Sequence, residues 1–398
     1  MKYISLFSGI GGLEMEQGSP EYLCDSDHDC HVVLKRVFPS VPIHEDVQCV
    51  PSVKAEVCLA GWPCQDLTIA GRQKGIFGKN SSLFFNAVTA AKSSGVHTFI
   101  GENVPNLLRA RKGHDFKVVI ETLVDAGFPF ISWRTLNARQ FGLPQDRDRV
   151  IIVASKERSI ARALHRGIEY GGSVGERAPQ RTSGFYWTGG KRSICFSEGF
   201  VPTLKVGASP PKGGTSPVAV LYERTVRKLS AVECLQLQGF DPLPFEGIVL
   251  GSVFRMAGNA VPLPLGRFAA GSVHFSNDVS LCLKEADQFC RDGVYEDESK
   301  QIFCVEPEAQ TLAENLDDFI DFRSEDSLSN QAAAGLLVRM IRAGKKMPIP
   351  LFDALYDLSL ERTKLRGTKV DSFDILHNSL DVDAYTMSLE KQPALAEE

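Results

Sequence analysis

The chain has 398 residues, 43% of them hydrophobic, and a formal charge of −5, which allows a full-sized core in two or three domains and excludes a disordered or collagen-like polypeptide. The apolar start, Met1–Phe7, is too short for a secretory signal and no run approaches a membrane span, so the expectation is a cytoplasmic protein without a membrane partner. Residues 276–398 hold 13 Lys/Arg and 25 Asp/Glu, which leaves 31 and 24 for residues 1–275; a basic body of +7, suited to a polyanion, therefore precedes an acidic end of −12.

In chain order, residues 2–7 read as a buried strand followed at once by Phe7-Ser8-Gly9-Ile10-Gly11-Gly12. Glycines at a strand's end let the backbone turn tightly and approach a ligand, and doubly wound folds bind nucleotide-like cofactors there. A plain structural turn is the alternative, since the spacing is not that of the dinucleotide fingerprint. The segment from Leu13 to Pro20 leaves room for a first helix of about two turns. Glu21–Asp25 reads as a second strand closing on an acid, His28–Phe38 as a helix, and a third unit ends at His44-Glu45-Asp46. Acids at successive strand ends suit one ligand gripped from several strands of a parallel sheet, although either acid alone is more often a helix cap.

The apolar run Val57–Ala60 then delivers Gly61-Trp62-Pro63-Cys64-Gln65. A cysteine fixed by a preceding proline at the end of a buried strand is held on a stiff turn, where a nucleophile belongs, although a lone cysteine is more often inert filler. Basic, glycine-spaced residues follow, with Arg72 and Lys74 able to close over a polymer, before a helix over Leu83–Lys92 and a strand over His97–Ile100 that ends on Gly101-Glu102-Asn103. A helix at Asp115–Ala126 and strands at Phe130–Leu136 and Arg149–Ala154 complete the sheet. Arg147 and Arg149 alternate on an extended segment, so both side chains are expected to reach one site.

From about Ser155 to Thr225 regular periods give way to Gly, Ser, Pro and basic residues; Phe185-Tyr186-Trp187 and then Lys191-Arg192 interleave aromatics with charge, as nucleic-acid contact favours. The same three rings would equally serve as a small domain's core. Leu229–Leu237 reads as a helix, and Gly258-Asn259-Ala260-Val261-Pro262 opens the last helix of the body. The ten cysteines lack a Cys-x-x-Cys pair, so reduced thiols and no metal are expected. Residues 276–326 look acidic and loop-like, with helices at Gln331–Ala343 and Leu351–Leu365.

Six blocks taken together resemble the bacterial-type cytosine-C5 DNA methyltransferases: Phe-Ser-Gly-Ile-Gly-Gly at 7–12, Pro-Cys-Gln at 63–65, Glu-Asn-Val at 102–104, Gln-Asp-Arg-Asp-Arg at 145–149, Arg-Lys-Leu-Ser-Ala-Val-Glu-Cys at 227–234 with Leu-Gln-Gly-Phe at 237–240, and Gly-Asn-Ala-Val-Pro at 258–262. The resemblance covers about residues 2–272 and implies an α/β fold: a doubly wound, mostly parallel, Rossmann-like S-adenosylmethionine domain with a small irregular recognition domain. It implies Cys64 as nucleophile on C6 of a cytosine flipped from duplex DNA, Glu102 on the N3/N4 edge, Arg149 on O2, and Arg147 supporting the site and the DNA backbone. For S-adenosylmethionine it implies Phe7, Gly9, Gly11, Gly12, Asp25, Asp46, Pro63, Leu83, Asn259 and Ala260. For DNA, the residues singled out are Gln65, Arg72, Lys74, Lys191, Arg192, Thr203 and Lys205. Ser26 stands where many relatives carry a larger side chain against the adenine.

The domain expectation is a catalytic and cofactor domain over 1–155, completed by 256–275, a recognition domain over 156–255, and an acidic, partly helical extension over 276–398. The family habit implies a monomer, either beside a cognate restriction endonuclease that acts separately or as a solitary DNA-marking enzyme. The rival readings are the same chemistry on RNA cytosine, a silent DNA-binding relative, and a thiol redox enzyme, the last lacking a resolving cysteine at motif spacing.

Overall fold

The computed structural model describes residues 1–15, 18–63, 75–78, 80–168, 182–188, 194–205, 215–275, 279–286, 289–305, 316–323, 327–343, 345 and 347–360. The first half of the body supplies strands β1 (Lys2–Leu6), β2 (Ser19–Cys24), β3 (Ile43–His44), β4 (Val57–Ala60), β5 (Thr98–Asn103), β6 (Phe130–Asn137), β7 (Gln145–Asp146) and β8 (Asp148–Ser155). Between and after them run helices α1 (His28–Val37), α2 (Leu83–Ser93), α3 (His114–Asp125) and α4 (Arg158–Arg162).

The main sheet has the order β3-β2-β1-β4-β5-β8-β6, and β3 through β5 run parallel. Its strands are apolar on both faces, as a covered sheet requires: Ile4, Leu6, Cys58 and Phe99 pack under α2 and α3, while Tyr3, Leu59, Ile100 and Ile151 meet the opposite helical layer. The chain runs outward from β1 through β2 and β3, then returns to place β4 on the other side of β1. That reversal makes a crevice at the carboxyl ends of β1 and β4, the place where such sheets bind ligands. The first helix expected after the glycines is instead a turn among the described residues, because β2 already begins at Ser19.

A second sheet, ordered β10-β9-β12-β13, is built from β9 (Thr182–Tyr186), β10 (Ser197–Glu198), β12 (Val218–Tyr222) and β13 (Thr225–Lys228). The short β11 (Val201–Pro202) leaves it to pair in parallel with β7, so the second sheet is stitched to the first body. Helices α5 (Ala231–Gln236), α6 (Leu250–Asn259) and α7 (Leu263–Ala270) return the chain to the main sheet, where Leu265 and Ala269 complete its second face.

The stretch after 276 departs from expectation. In place of loop, β14 (Leu283–Glu285), β15 (Gly293–Glu296) and β16 (Gln301–Val305) lengthen the main sheet to ten strands, with β15 antiparallel to β6. The pairing is secured by Asp292, which accepts from the Thr135 N–H at 2.7 Å, and by Arg158 and Arg162 on Glu296. The reduced-thiol expectation is also corrected: β15 and β16 place Gly293 opposite Cys304, which brings Cys290 within disulfide reach of it, and the two are bonded with Cα atoms 5.9 Å apart. Helices α8 (Asn330–Arg342) and α9 (Ile349–Leu360) follow close to their expected starts.

Candidate active site

The glycine loop leaves β1 through Phe7 in the left-handed region (φ 58°), with Gly9 and Gly11 also at positive φ. For Phe7 that conformation is strained by about 1–2 kcal/mol, and it is held because Ser8 N–H donates to the Cys24 carbonyl at 2.9 Å and Gly9 N–H to Asp25 Oδ2 at 2.7 Å. Among the described residues no atom lies within 4 Å of where a Gly9 side chain would start, so this face of the loop has open space beside it. Gly12 has a different duty: a Cβ there would stand 2.3 Å from the Val261 carbonyl, so its hydrogen lets the segment before α7 close on the loop.

Asp25 ends β2 with a largely covered carboxylate whose pKa burial pushes up, and each oxygen accepts one backbone N–H, from Gly9 and from Asp27. Asp46 is exposed just beyond β3 and caps the turn at 47–49 through Gln48 N–H. Beside them, Ala260 is buried while Asn259 is exposed at the end of α6. Open glycine backbone, a carboxylate placed for vicinal hydroxyls and a second acid beyond it fit the methionine, ribose and adenine parts of S-adenosylmethionine. Leu83, at the start of α2, packs against the core of the main sheet.

Across β1, the ends of β4 and β5 converge. Gly61 stands where a Cβ would be 3.6 Å from Glu102 Oε2 and 3.8 Å from the Phe7 carbonyl, so the Glu102 carboxylate, the start of the glycine loop and Gly61 share one small space. Trp62 is buried against Phe84, its carbonyl accepts from Asn103 Nδ2 at 3.1 Å, and the Pro63 carbonyl accepts from Ser81 Oγ at 3.3 Å. These ties fix the chain up to the residue before Cys64. Cys64, Gln65, Arg72, Lys74, Lys191 and Arg192 lie outside the described residues.

Glu102 is buried, and Arg149 Nε lies 2.8 Å from its Oε1. Desolvation pushes the Glu102 carboxyl above the usual range, against the pull of Arg149 and Arg147. The two arginines are placed differently. Residue 147 falls at the break between β7 and β8, so strand alternation does not carry through it. Its side chain is wholly buried, and the guanidinium donates to the carbonyls of Leu204 (2.9 Å), Gly258 (3.1 Å) and Ala260 (2.6 Å). Arg147 therefore ties β7–β8, the segment at Leu204 and the α6–α7 turn together.

Two residues missed by sequence reasoning share that seam. Buried Gln145 donates to the Leu237 carbonyl and accepts from Leu204 N–H, and Gln238 donates to the Ala257 carbonyl at 2.6 Å. Both belong to blocks already noticed, which was the available signal. Thr203 spends its hydroxyl on the Asp146 carbonyl and so holds this segment, while the exposed Lys205 lies with Nζ 4.2 Å from the centre of the Tyr186 ring. Among the described residues, His28, His31 and Glu45 bring possible metal-ligand atoms within 4.8 Å, but His31 Nε2 is engaged with the Asp25 carbonyl at 2.6 Å and the other two side chains are exposed.

Comparison with known proteins agrees with this geometry. The family model described as C-5 cytosine-specific DNA methylase matches residues 1–169. The chain is 33% identical over 291 residues to the type II methyltransferase M2.BsuMI of Bacillus subtilis, covering 67% of this chain and 74% of that protein. It is 30% identical over 293 residues to the type II methyltransferase M.NgoBI of Neisseria gonorrhoeae, covering 66% and 90%. With the glycine loop, Gly61–Pro63 and the Glu102–Arg149 pair meeting at the switch point of a doubly wound sheet, the chain belongs to the C-5 cytosine-specific DNA methylases, enzymes that methylate cytosine in DNA with S-adenosylmethionine as donor.

Proposed function

We propose that the protein methylates one cytosine within a short sequence of duplex DNA, as the modification member of a type II restriction–modification system, acting as a monomer beside a separate endonuclease. The observation that carries the site assignment is the buried Glu102–Arg149 pair facing Gly61, three residues before Cys64. The body over 1–155 with 256–275 is the catalytic domain, and the sheet within 156–255 presents the recognition elements.

Cytosine C5 is not nucleophilic until something adds at C6, and the ring must first leave the base stack, at a cost of a few kcal/mol. The Cys64 thiolate adds to C6, and Glu102, whose burial favours the protonated carboxyl, gives a proton to N3 as charge develops there. Arg149 holds Glu102 in place and faces O2. S-adenosylmethionine supplies the methyl group that C5 takes up. The C5 proton then leaves to a base, the C6–S bond breaks with return of the electron pair to sulfur, N3 gives its proton back to Glu102, and the Cys64 thiolate is regenerated. Phe7, Gly9, Gly11, Asp25 and Asp46 hold the donor, with Asn259 and Ala260 closing the pocket.

The test is transfer of labelled methyl to duplex DNA by the wild type and Cys64→Ala, with modified cytosines mapped by bisulfite sequencing. Labelling at one short motif, reduced by about 10⁴-fold or more in the variant, is expected. Transfer to RNA alone, or undiminished transfer by Cys64→Ala, would overturn the reading.

A further inference from the structure

The second sheet has two apolar faces, and among the described residues of 156–275 the second face meets only Trp187, Ile194 and Phe196 beyond the sheet's own strands. Along β9 and β12 the alternation sends Tyr186, Val218 and Val220 toward Leu235, Phe240 and Val253 of the body, and sends Phe185, Ala219 and Leu221 the other way. A face of Phe, Leu and Val left in water would be an aggregation liability. In this protein it is covered by Ala333, Leu336, Leu337 and Met340 of α8 and by Leu351, Phe352 and Leu355 of α9.

The contacts are specific as well as apolar. Leu316 and Ile320 enter the core shared by the recognition sheet and α6. Asp321 joins the buried Arg227–Glu233 ion pair through its backbone, its N–H donating to Glu233 Oε1 at 2.9 Å and its carbonyl accepting from Arg227 Nη2 at 3.0 Å. Ser327 bridges Arg227, and Leu328 N–H donates to the Val226 carbonyl at 3.2 Å. On the far side, Arg339 of α8 donates to the Trp187 carbonyl at 2.8 Å, four residues before the Lys191-Arg192 pair.

From this arrangement we infer that residues 316–360 are the second layer of the target-recognition domain, and that discrimination between DNA sequences depends on them although the acidic segment itself repels DNA. The inference rests on the DNA-methylating reading above. It separates the extension into two jobs: β14–β16 belong to the catalytic sheet, and α8 and α9 belong to recognition.

The test places Leu337→Asp and Leu355→Asp, with Leu337→Met as the conservative control, in the full chain. Two quantities are measured for each: affinity for S-adenosylmethionine, and the ratio of affinities for motif-bearing and scrambled duplexes. Both Asp variants are expected to keep cofactor affinity within about twofold and to lose the sequence preference by about tenfold or more, while Leu337→Met behaves as wild type. An unchanged preference in the Asp variants would overturn the inference and leave the enzyme reading intact. So would parallel loss of cofactor binding, which would make the helices a support for the whole fold. A wild type with no preference among duplexes would instead break the sequence-specific reading on which the inference stands.

Discussion

The two ends of the ten-stranded sheet differ in how they were made. At the switch point, β1, β2, β4 and β5 each finish on residues whose chemistry faces a common crevice: Phe7 to Gly12, Asp25, Gly61 to Pro63, and Glu102. At the far edge, β15 and β16 finish on nothing chemical and are held by strand pairing, Asp292, an arginine–glutamate clamp and a disulfide. The first end is specified by residue type at fixed places along the chain. The second is specified by pairing with a strand more than 150 residues away, and almost any β-compatible segment would serve there.

The sharpest way to break that contrast is at Glu102. Glu102→Ala is expected to lower the methyl-transfer rate by about 10²–10⁴-fold while the fold persists. In the wild type the protonated carboxyl is retained to higher pH than for an ordinary glutamate, so activity is expected to be present below its raised pKa and lost as pH rises through it; a kcat profile that Glu102→Gln leaves unaltered would refute this. Arg147→Met removes a guanidinium from three buried carbonyls and is expected to cost about 3–5 kcal/mol in urea unfolding. Arg147→Lys, with one ammonium for three acceptors, should recover only part of it.

At the other end, Cys304→Ser opens a loop closed at a separation of 14 residues and is expected to cost about 3 kcal/mol, read as faster amide exchange in β15 and β16. Methyl transfer should stay within about twofold, because no catalytic residue lies on those strands; a large loss would show the two ends to be coupled. The smallest effect is expected from Glu14, buried beside the glycine loop, where it accepts from Ser5 and from Leu13 N–H. Its pKa is pushed up by burial to about 7 from 4.5, so the native state holds this proton more tightly and stability falls as pH rises between those values. Glu14→Gln should flatten that slope and be more stable than wild type by about 2 kcal/mol at pH 8, measured by unfolding across pH.

The contrast also explains what could be read in advance. Strands β1, β4, β5, β6 and β8 and helices α1, α2 and α3 lie within a few residues of expectation, because each is a long apolar or amphipathic run bounded by turn residues. Strands β14–β16 were missed, since segments such as Leu283–Glu285 are too short and polar to differ from loop until a partner edge is present. Helix α6 was missed because Leu250–Asn259 carries two glycines that read as loop. The structure brings Glu102 and Arg149, singled out by their blocks, into one buried pair, whereas the separate placement of Arg147 was not legible: spacing gives direction only while a strand is unbroken.

By itself, the sequence determined the family, the reaction and the order of the chemical residues, because catalysis demands particular side chains and a Gly-rich turn demands particular backbones. Only the tertiary structure decided that Arg147 is a tie, that Gly12 yields space to Val261, and that β14–β16 join the main sheet while α8 and α9 pack on the second. Those decisions belong to surfaces that must be covered and carbonyls that must be paired. Burial and pairing are satisfied by whichever segment arrives in space, and local residue patterns do not say which one will.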